Sequence, residues 1–194
     1  MKRPAKSIFR SLCLWLGICL LAGGIFTFAY RQISISAWET KSAEYTALLR
    51  AAIPEPQGAI LEERLDNSMA VLPLGGQDFI GILELPAFGS ALPVGAGWGD
   101  SDKFPCRLSG SIYDGSLQIG ATSQKGQFDF YREISVGDSL FFTDVSGNRY
   151  TLTVKDIRYF RHADQEALSR TEDSLTLFIK NINAFEYIII YCEA

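Results

Sequence analysis

Histidine and cysteine are scarce in this sequence, which contains one histidine, His162, and four cysteines. Cys13 and Cys19 fall inside a long apolar run, whereas Cys106 and Cys192 lie far apart in the remainder of the chain. No Cys-x-x-Cys pair is present, and so few sulfur and imidazole ligands argue against a zinc site and against a disulfide-dense scaffold. We therefore expect neither a metal nor a cofactor.

Basic residues are also few outside the N-terminus. All charged residues before Arg31 are basic, and there are four of them: Lys2, Arg3, Lys6 and Arg10. The rest of the chain carries 14 basic and 22 acidic residues, a net charge of -8. Such an acidic domain without a basic patch is poorly suited to a phosphate backbone. The sequence therefore predicts no nucleic-acid partner.

Twenty residues without a charge, residues 11–30, form the one long apolar run. A helix of this length spans about 30 Å, the thickness of the hydrocarbon core of a membrane. The run is longer than the core of a typical signal peptide, and no Ala-x-Ala-like cleavage site follows closely, so a retained transmembrane anchor is favoured over a cleaved signal. The positive-inside rule then places the basic tail, residues 1–10, in the cytoplasm and the rest of the chain outside the cell.

Residues 31–78 are predicted to join this anchor to the domain that follows. Apolar side chains recur at near-helical spacing from Ile33 to Ala52, and Pro54 with Pro56 ends the pattern. We interpret this helix as a continuation of the membrane helix into water, with a partner-binding helix as the alternative. Residues 57–77 combine glycine, proline and scattered charge without periodicity, which is typical of a tether.

Residues 79–194 are predicted to form an all-β domain, because short β-prone runs alternate with tight turns. The runs cover Phe79–Pro86, Ala91–Val94, Ser109–Tyr113, Leu117–Ala121, Ser139–Asp144, Arg149–Arg158, Asp173–Lys180 and Tyr187–Tyr191. A short helical turn is expected at Phe128–Ile134. About eight strands at short spacing with little helix predict one closed or nearly closed β-barrel.

Several motifs of this domain resemble, in their order, the sortases, which are membrane-anchored cysteine transpeptidases of Gram-positive bacteria. Leu175-Thr176-Leu177-Phe178 is similar to the Leu-Thr-Leu-Phe-Thr-Cys strand of that family. Further similarities are Phe79–Pro86 to its first strand, Leu92–Val94 to the continuation, Ser135–Leu140 to its Val-Gly-Asp turn and Thr143–Tyr150 to its Asp-x-x-Gly-x-x-Tyr hairpin. The resemblance implies a sortase-like closed barrel with short helical turns behind an N-terminal transmembrane helix.

The resemblance also implies a chemistry for which this chain lacks the residues. Sortases attack a cell-wall sorting signal with a cysteine thiolate, form a thioester and pass it to an amine, assisted by a histidine and an arginine. The histidine and cysteine positions correspond to Thr122 and Lys180, and the arginine position falls at Glu186 or Tyr187. The resemblance therefore implies a degenerate, catalytically inactive member, or pseudo-sortase.

Other residues are weak candidates to replace the missing groups. Thr122 has no general base nearby in the sequence, and acylation of Lys180 would end in a stable amide. His162 stands in a polar loop, where a lone histidine is more typical of solvated surface than of catalysis. Cys192 is interpreted as a core thiol or as a disulfide partner of Cys106, and both alternatives stay open.

Neighbouring carboxylates invite an acid–base or cation-binding interpretation at three places: Glu62–Glu63, Asp164 with Glu166, and Glu172–Asp173. Each group lies in a polar linker or loop, and adjacent residues of a strand point to opposite faces. We interpret all three as solvated surface, and this interpretation again predicts no metal site.

The predicted function is that of a membrane-anchored extracellular protein that has lost transpeptidation and binds a sorting-signal peptide, a pilin subunit or an active sortase. The alternatives are an enzyme with a rearranged site around Thr122, Lys180 and the lone histidine, and a purely structural envelope protein. An open apolar groove beside the Thr122 and Lys180 strands favours binding. A groove filled by Phe178, Tyr187 or Tyr191 favours the structural role.

Overall fold

The computed structural model describes residues 5–58, 67–100, 103–161, 173–182, 184 and 186–194. The chain consists of two compact units, Met1–Ala37 and Trp38–Ala194, and each is described by itself. Several residues weighed in the sequence lie outside the described ranges: His162, Glu62, Glu63, Asp164, Glu166 and Glu172.

The first unit is helical and contains a candidate membrane span. Helix α1 covers Ala5–Ala52, and its part from Leu12 to Tyr30 is 19 residues long with a mean hydropathy of 2.2. No residue of that segment is buried against the protein. The segment is long and apolar enough to cross a membrane, and it coincides with the anchor predicted at residues 11–30. The predicted orientation stays a prediction.

The second unit is built on one sheet, which has ten strands within the described ranges. The strands are β1 Gln57–Gly58, β2 Leu72–Leu74, β3 Gln77–Leu85, β4 Ser90–Gly95, β5 Cys106–Ser109, β6 Leu117–Thr122, β7 Ser139–Asp144, β8 Asn148–Phe160, β9 Leu175–Asn181 and β10 Glu186–Glu193. Three short 3₁₀ helices are described between them, at Pro86–Phe88, Trp98–Asp100 and Asp129–Arg132.

Eight of the strands close into a barrel in the order β8-β10-β9-β6-β5-β4-β3-β7 and back to β8. The pairs β6–β9 and β4–β5 are parallel, and the other neighbours in the ring are antiparallel. Two short strands lie outside the ring, β1 beside β8 and β2 beside β3. The closed barrel of about eight strands that the sequence predicts is confirmed.

Alternating side chains of the barrel strands fill its interior. On β9 the inward residues are Leu175, Leu177 and Ile179, and on β10 they include Ile188 and Ile190. All five are fully buried. Residues between them on the same strands point to the outer face, which is where the candidate site lies.

The C-terminal turns of α1 pack against the outside of the barrel. Leu49 and Ile53 join Phe79 and Phe104 in a buried cluster, and the Tyr45 ring lies 5.1 Å from the Phe79 ring. The helix continues from the apolar run into these turns without a break, but the turns do not stand in water, because their apolar stripe is covered by strand side chains. The described ends of the predicted tether, β1 and β2, likewise belong to the sheet.

Candidate functional site

The three positions that the resemblance assigns to catalysis lie side by side on the barrel. Lys180 of β9 pairs with Thr122 of β6 on one side and with Tyr187 of β10 on the other. Adjacent strands are about 4.8 Å apart, so the three residues form one row across the sheet. Because Ile179 points into the core, its neighbour Lys180 points to the outer face.

The row offers a hydroxyl, an ammonium and a phenol. The Thr122 hydroxyl donates to Gln127 Oε1 at 2.7 Å, and the same oxygen accepts from the Thr122 N–H at 2.7 Å. An amide oxygen does not remove a proton at neutral pH, so this hydroxyl is held rather than activated. Lys180 is exposed, without the desolvation that an amine nucleophile needs. The Tyr187 ring stacks on Phe178 at 5.4 Å.

Beside this row the side chains of the outer face are apolar and largely buried. Phe178, Ile189 and Tyr191 form a cluster with 9%, 1% and 1% of their surfaces exposed, and the half-buried Tyr187 packs against it. We call these four residues the aromatic face. Phe178 and Tyr191, two of the aromatic side chains expected to fill a closed groove, are thus buried at this place.

Trp98 lies against β6 beside this face, at Gly120, which pairs with Phe178. A Cβ on Gly120 of β6 would lie 2.5 Å from the indole Cζ3 of Trp98 and 2.9 Å from Leu108 Cδ1. Glycine is therefore what allows the indole to lie against the strand. Trp98 remains 48% exposed, so its ring is available from solvent. The sequence carries no sign of this contact, because Trp98 stands in an irregular Gly-rich loop.

An arginine also lies on the outer face, although not at the position that the resemblance assigns. Arg158 of β8 pairs with Ile189 of β10, and its guanidinium lies 5.6 Å from the centroid of the Tyr191 ring. Its Nε donates to Asp156 at 2.7 Å, and this hydrogen bond raises the pKa of the guanidinium. Sequence reasoning missed Arg158 because the register between β8 and β10 cannot be read from the two strands separately.

A polar network joins the ends of the three strands beyond the row. Asn181 Nδ2 donates to Glu186 Oε1 at 2.8 Å, and Ser123 Oγ donates to Asn181 Oδ1 at 3.3 Å. The Ile182 N–H donates to Ser123 Oγ at 3.3 Å. Glu186, the second position considered for the arginine, is therefore engaged in holding β9 to β10.

Neither cysteine of the barrel unit supplies the missing thiolate. Cys192 lies in the core, where burial raises the pKa of its thiol and the Asp173 carboxylate raises it further. Cys106 is buried in the cluster under α1. The two thiols are not joined to each other, and they lie in separate clusters on opposite sides of the sheet wall. Of the two alternatives left open for Cys192, the structure has the core thiol.

The carboxylates of the described residues do not form a metal centre. No group of three or more His, Cys, Asp or Glu side chains could hold an ion within the part of the chain that the structure describes. Asp173, interpreted from the sequence as solvated, is only 1% exposed and lies 3.7 Å from Lys155 Nζ. That interpretation is wrong for Asp173 because the strand ends of β8 and β10 enclose the start of β9.

No known family profile and no curated protein matches the sequence. Solved sortase structures do match. Sortase C1 of Streptococcus suis gives a TM-score of 0.53 at 18% identity, over 59% of this chain and 72% of that chain. Sortase C of Clostridium perfringens, solved with the C-terminal cell wall sorting motif, gives 0.52 at 16% identity, over 82% and 88%. Sortase A of Listeria monocytogenes gives 0.50 at 16%, over 59% and 86%. At these identities the comparisons show the fold, which is sortase-like.

Proposed function

We propose that this sortase-like barrel belongs to a membrane-anchored envelope protein that has lost transpeptidation and acts by binding a peptide or protein partner. The observation that carries the proposal is the row of Thr122, Lys180 and Tyr187. These residues occupy adjacent places on three neighbouring strands, and they supply no thiol, imidazole or guanidinium. All three positions that the resemblance assigns to catalysis therefore carry other residues, and they lie together at one place on the sheet.

The chemistry of the row argues against acyl transfer. Attack on a peptide carbonyl needs a nucleophile, a proton acceptor and a donor for the developing oxyanion. Thr122 is bonded to an amide oxygen, and Tyr187 is packed on Phe178. Lys180 is exposed, and an acyl group on its amine would be a stable amide that blocks turnover.

The surroundings of the row favour binding. Trp98 and Tyr187 present partly exposed aromatic surface next to buried apolar side chains, an arrangement that commonly anchors extended peptides. The Lys180 ammonium adds a donor for a carboxylate or a backbone carbonyl. One structure with the same fold holds a C-terminal cell wall sorting motif. We propose a ligand of that class, presented as a free segment, by a pilin subunit or by an active sortase.

The proposed location follows from the candidate span Leu12–Tyr30. With the basic residues before it in the cytoplasm, the barrel faces the outside of the cell, where cell-wall partners are found. A purely structural role is the second candidate function. It is favoured by one observation, the burial of Phe178, Ile189 and Tyr191 on the aromatic face.

The test uses the full chain in detergent micelles, mixed with a pool of sorting-signal peptides and an amine acceptor. Mass spectrometry of the peptides and of the intact protein is expected to show no cleaved or joined product. We expect peptide to be retained by the protein, and less of it after Trp98→Ala or Lys180→Ala. Val136→Ala, a change at an exposed residue outside the aromatic face, is the matched control.

The outcomes separate the three functions. Product above a protein-free control would refute the inactive interpretation and would direct attention to the lone histidine. Retention that is the same in all three variants would place binding away from the aromatic face. If the protein gives no product and retains no peptide, the structural role remains.

A further inference from the structure

A cavity of about 420 Å³ lies where the Trp38–Ala52 part of α1 meets the barrel. It shares no lining residue with the aromatic face. Its polar lining residues include Glu39 and Ser42 of α1, and Asp129 and Glu133 at the 3₁₀ helix that follows β6. Phe88 and Phe130 form an apolar wall. Nothing in the proposed function uses this cavity.

The cavity carries an excess of negative charge. Three of its lining residues are carboxylates, Glu39, Asp129 and Glu133. Lys125 pairs with one of them: its Nζ lies 3.4 Å from Glu39 Oε1, on a side chain that is 65% exposed. Burial raises the pKa of Asp129, and the charge of Glu39 raises it further, while Lys125 acts in the opposite direction. Lys125 therefore offsets only part of the acidic charge.

A second observation, independent of charge, points to a missing ligand. Ser42 is 4% exposed, and its Oγ has no hydrogen-bond partner among the described residues. A buried hydroxyl without a partner destabilises the folded protein, so such groups are uncommon unless something supplies the partner. Ser42 lies one helical turn from Glu39, so the hydroxyl and the carboxylate share one face of α1.

The apolar wall suits an alkyl chain. The rings of Phe88 and Phe130 are nearly parallel, with 14° between their planes and 5.6 Å between their centroids. Ring faces of this kind accept methylene groups and also attract cations. A metal ion is a poorer occupant, because no metal-ligating cluster occurs within the described ranges.

We propose that this cavity binds an organic cation carried on an alkyl chain, of which the lysine side chain of a partner peptide is the simplest example. The carboxylates of Glu39 and Asp129 balance the charge, and the Ser42 hydroxyl accepts one of the ammonium hydrogens. The alkyl chain lies along Phe88 and Phe130. The site is separate from the aromatic face, and the proposal stands whether or not that face binds a peptide.

The test measures binding of Nα-acetyl-lysine amide to the full chain in non-ionic detergent, by calorimetry or ligand-observed NMR. Nα-acetyl-norleucine amide, which has the same backbone and alkyl chain without the ammonium, is the matched probe. We expect saturable binding of the lysine probe only. Equal binding of the norleucine probe would overturn the proposal. Displacement of the lysine probe by calcium would overturn it as well.

Variants then locate the cation. Glu39→Gln and Asp129→Asn each remove one charge-assisted contact and should weaken binding about tenfold. Glu44→Gln is the control, because this exposed residue of α1 lies outside the cavity lining and the substitution changes the net charge equally. Wild-type binding in both cavity variants, or an equal loss in the control, would contradict the assignment.

Ser42→Ala separates a binding role from a structural one. Removing a buried hydroxyl without a partner should raise the melting temperature of the ligand-free protein. The same substitution should lower the affinity for the lysine probe. A lower melting temperature together with unchanged affinity would show that Ser42 serves the fold and not the ligand.

Discussion

At the scale of the residue, the burial and hydrogen bonding of polar side chains differ greatly from one position of the barrel to the next. Asp144 is buried, and its two carboxylate oxygens accept from the Tyr113 hydroxyl, from two backbone N–H groups and from the Asn148 amide, each at 2.9 Å. Lys180 is exposed in the site row. The first residue holds the β7–β8 turn in place, and the second projects from the outer face into solvent.

The exposure of Lys180 gives a direct chemical prediction. Lys180→Cys should introduce a thiol that reacts readily with maleimide in the native protein at about pH 8, since an exposed thiol has an ordinary pKa of about 8.5. Cys106 and Cys192 should stay unlabelled, because both are buried and burial raises the pKa of the Cys192 thiol. Mapping of labelled peptides by mass spectrometry checks both statements. Slow labelling of the new thiol, or rapid labelling of Cys192, would contradict the described strand faces.

Asp129 gives a prediction about pH. Burial and Glu39 raise the pKa of Asp129 above its ordinary value of 3.8, against the effect of Lys125, so folding penalises the charged carboxylate. The stability contributed by the protonated group is present at low pH and is lost as the pH rises through the raised pKa. Asp129→Asn should therefore raise the melting temperature at pH 7.

The size of that gain should shrink as the pH falls through the raised pKa and should be lost below the ordinary value of 3.8, where the wild-type carboxyl is protonated in the folded and the unfolded protein alike. Thermal unfolding of both proteins at several pH values measures the difference. Glu133 and Glu39 also line the cavity, so Glu44→Gln is needed to remove the general effect of a lost negative charge. A gain that does not depend on pH would show that the Asp129 charge is not its cause.

At the scale of the element, one carboxylate joins α1 to two strands of the barrel. Glu84 of β3 lies 2.7 Å from Arg50 of α1 and 2.9 Å from Arg149 of β8. The Arg149 guanidinium also lies 4.2 Å from the centroid of the Phe141 ring. This arrangement fixes the C-terminal turn of the helix against the barrel in addition to the packing of Leu49 and Ile53.

Glu84→Gln should loosen that turn. Arg50 is more than half exposed, so each ion pair contributes modestly, and we expect a loss of roughly 1 kcal/mol in the unfolding free energy. Hydrogen exchange should become faster for the amides of residues 45–53, with little change in the core strands. Glu55→Gln, at an exposed residue after the helix, is the control. Unchanged exchange in residues 45–53 would show that apolar packing alone holds the helix end.

At the scale of the whole molecule, the sequence predicts where the strands lie better than it predicts which strands pair with each other. The runs at Ser139–Asp144 and Tyr187–Tyr191 are long and β-prone, and the structure has strands there. Strands β1 and β2 have two and three residues, too few for any periodicity to show. Pairing partners depend on contacts between distant segments, which single-strand patterns do not contain.

The candidate site, too, is only partly predictable from the sequence. The adjacency of Thr122, Lys180 and Tyr187 rests on a resemblance to a known strand order, and the described registers agree with it. The places of Trp98 and Arg158 depend on a loop conformation and on the β8–β10 register, so no local pattern predicts them. The inactive function and the predicted partners stay predictions.

The parallel pairing of β6 with β9 has a consequence for the order in which the protein folds. Ser123 and Asn181, just beyond the row, are 58 residues apart in the chain. Closing a loop of that length costs about 3–4 kcal/mol of chain entropy before any contact between the strands repays it. The β7–β8 hairpin closes through a tight turn and has no such barrier. We therefore expect the hairpin to form early and the row of Thr122, Lys180 and Tyr187 to be completed late, so an incompletely folded chain would lack that row.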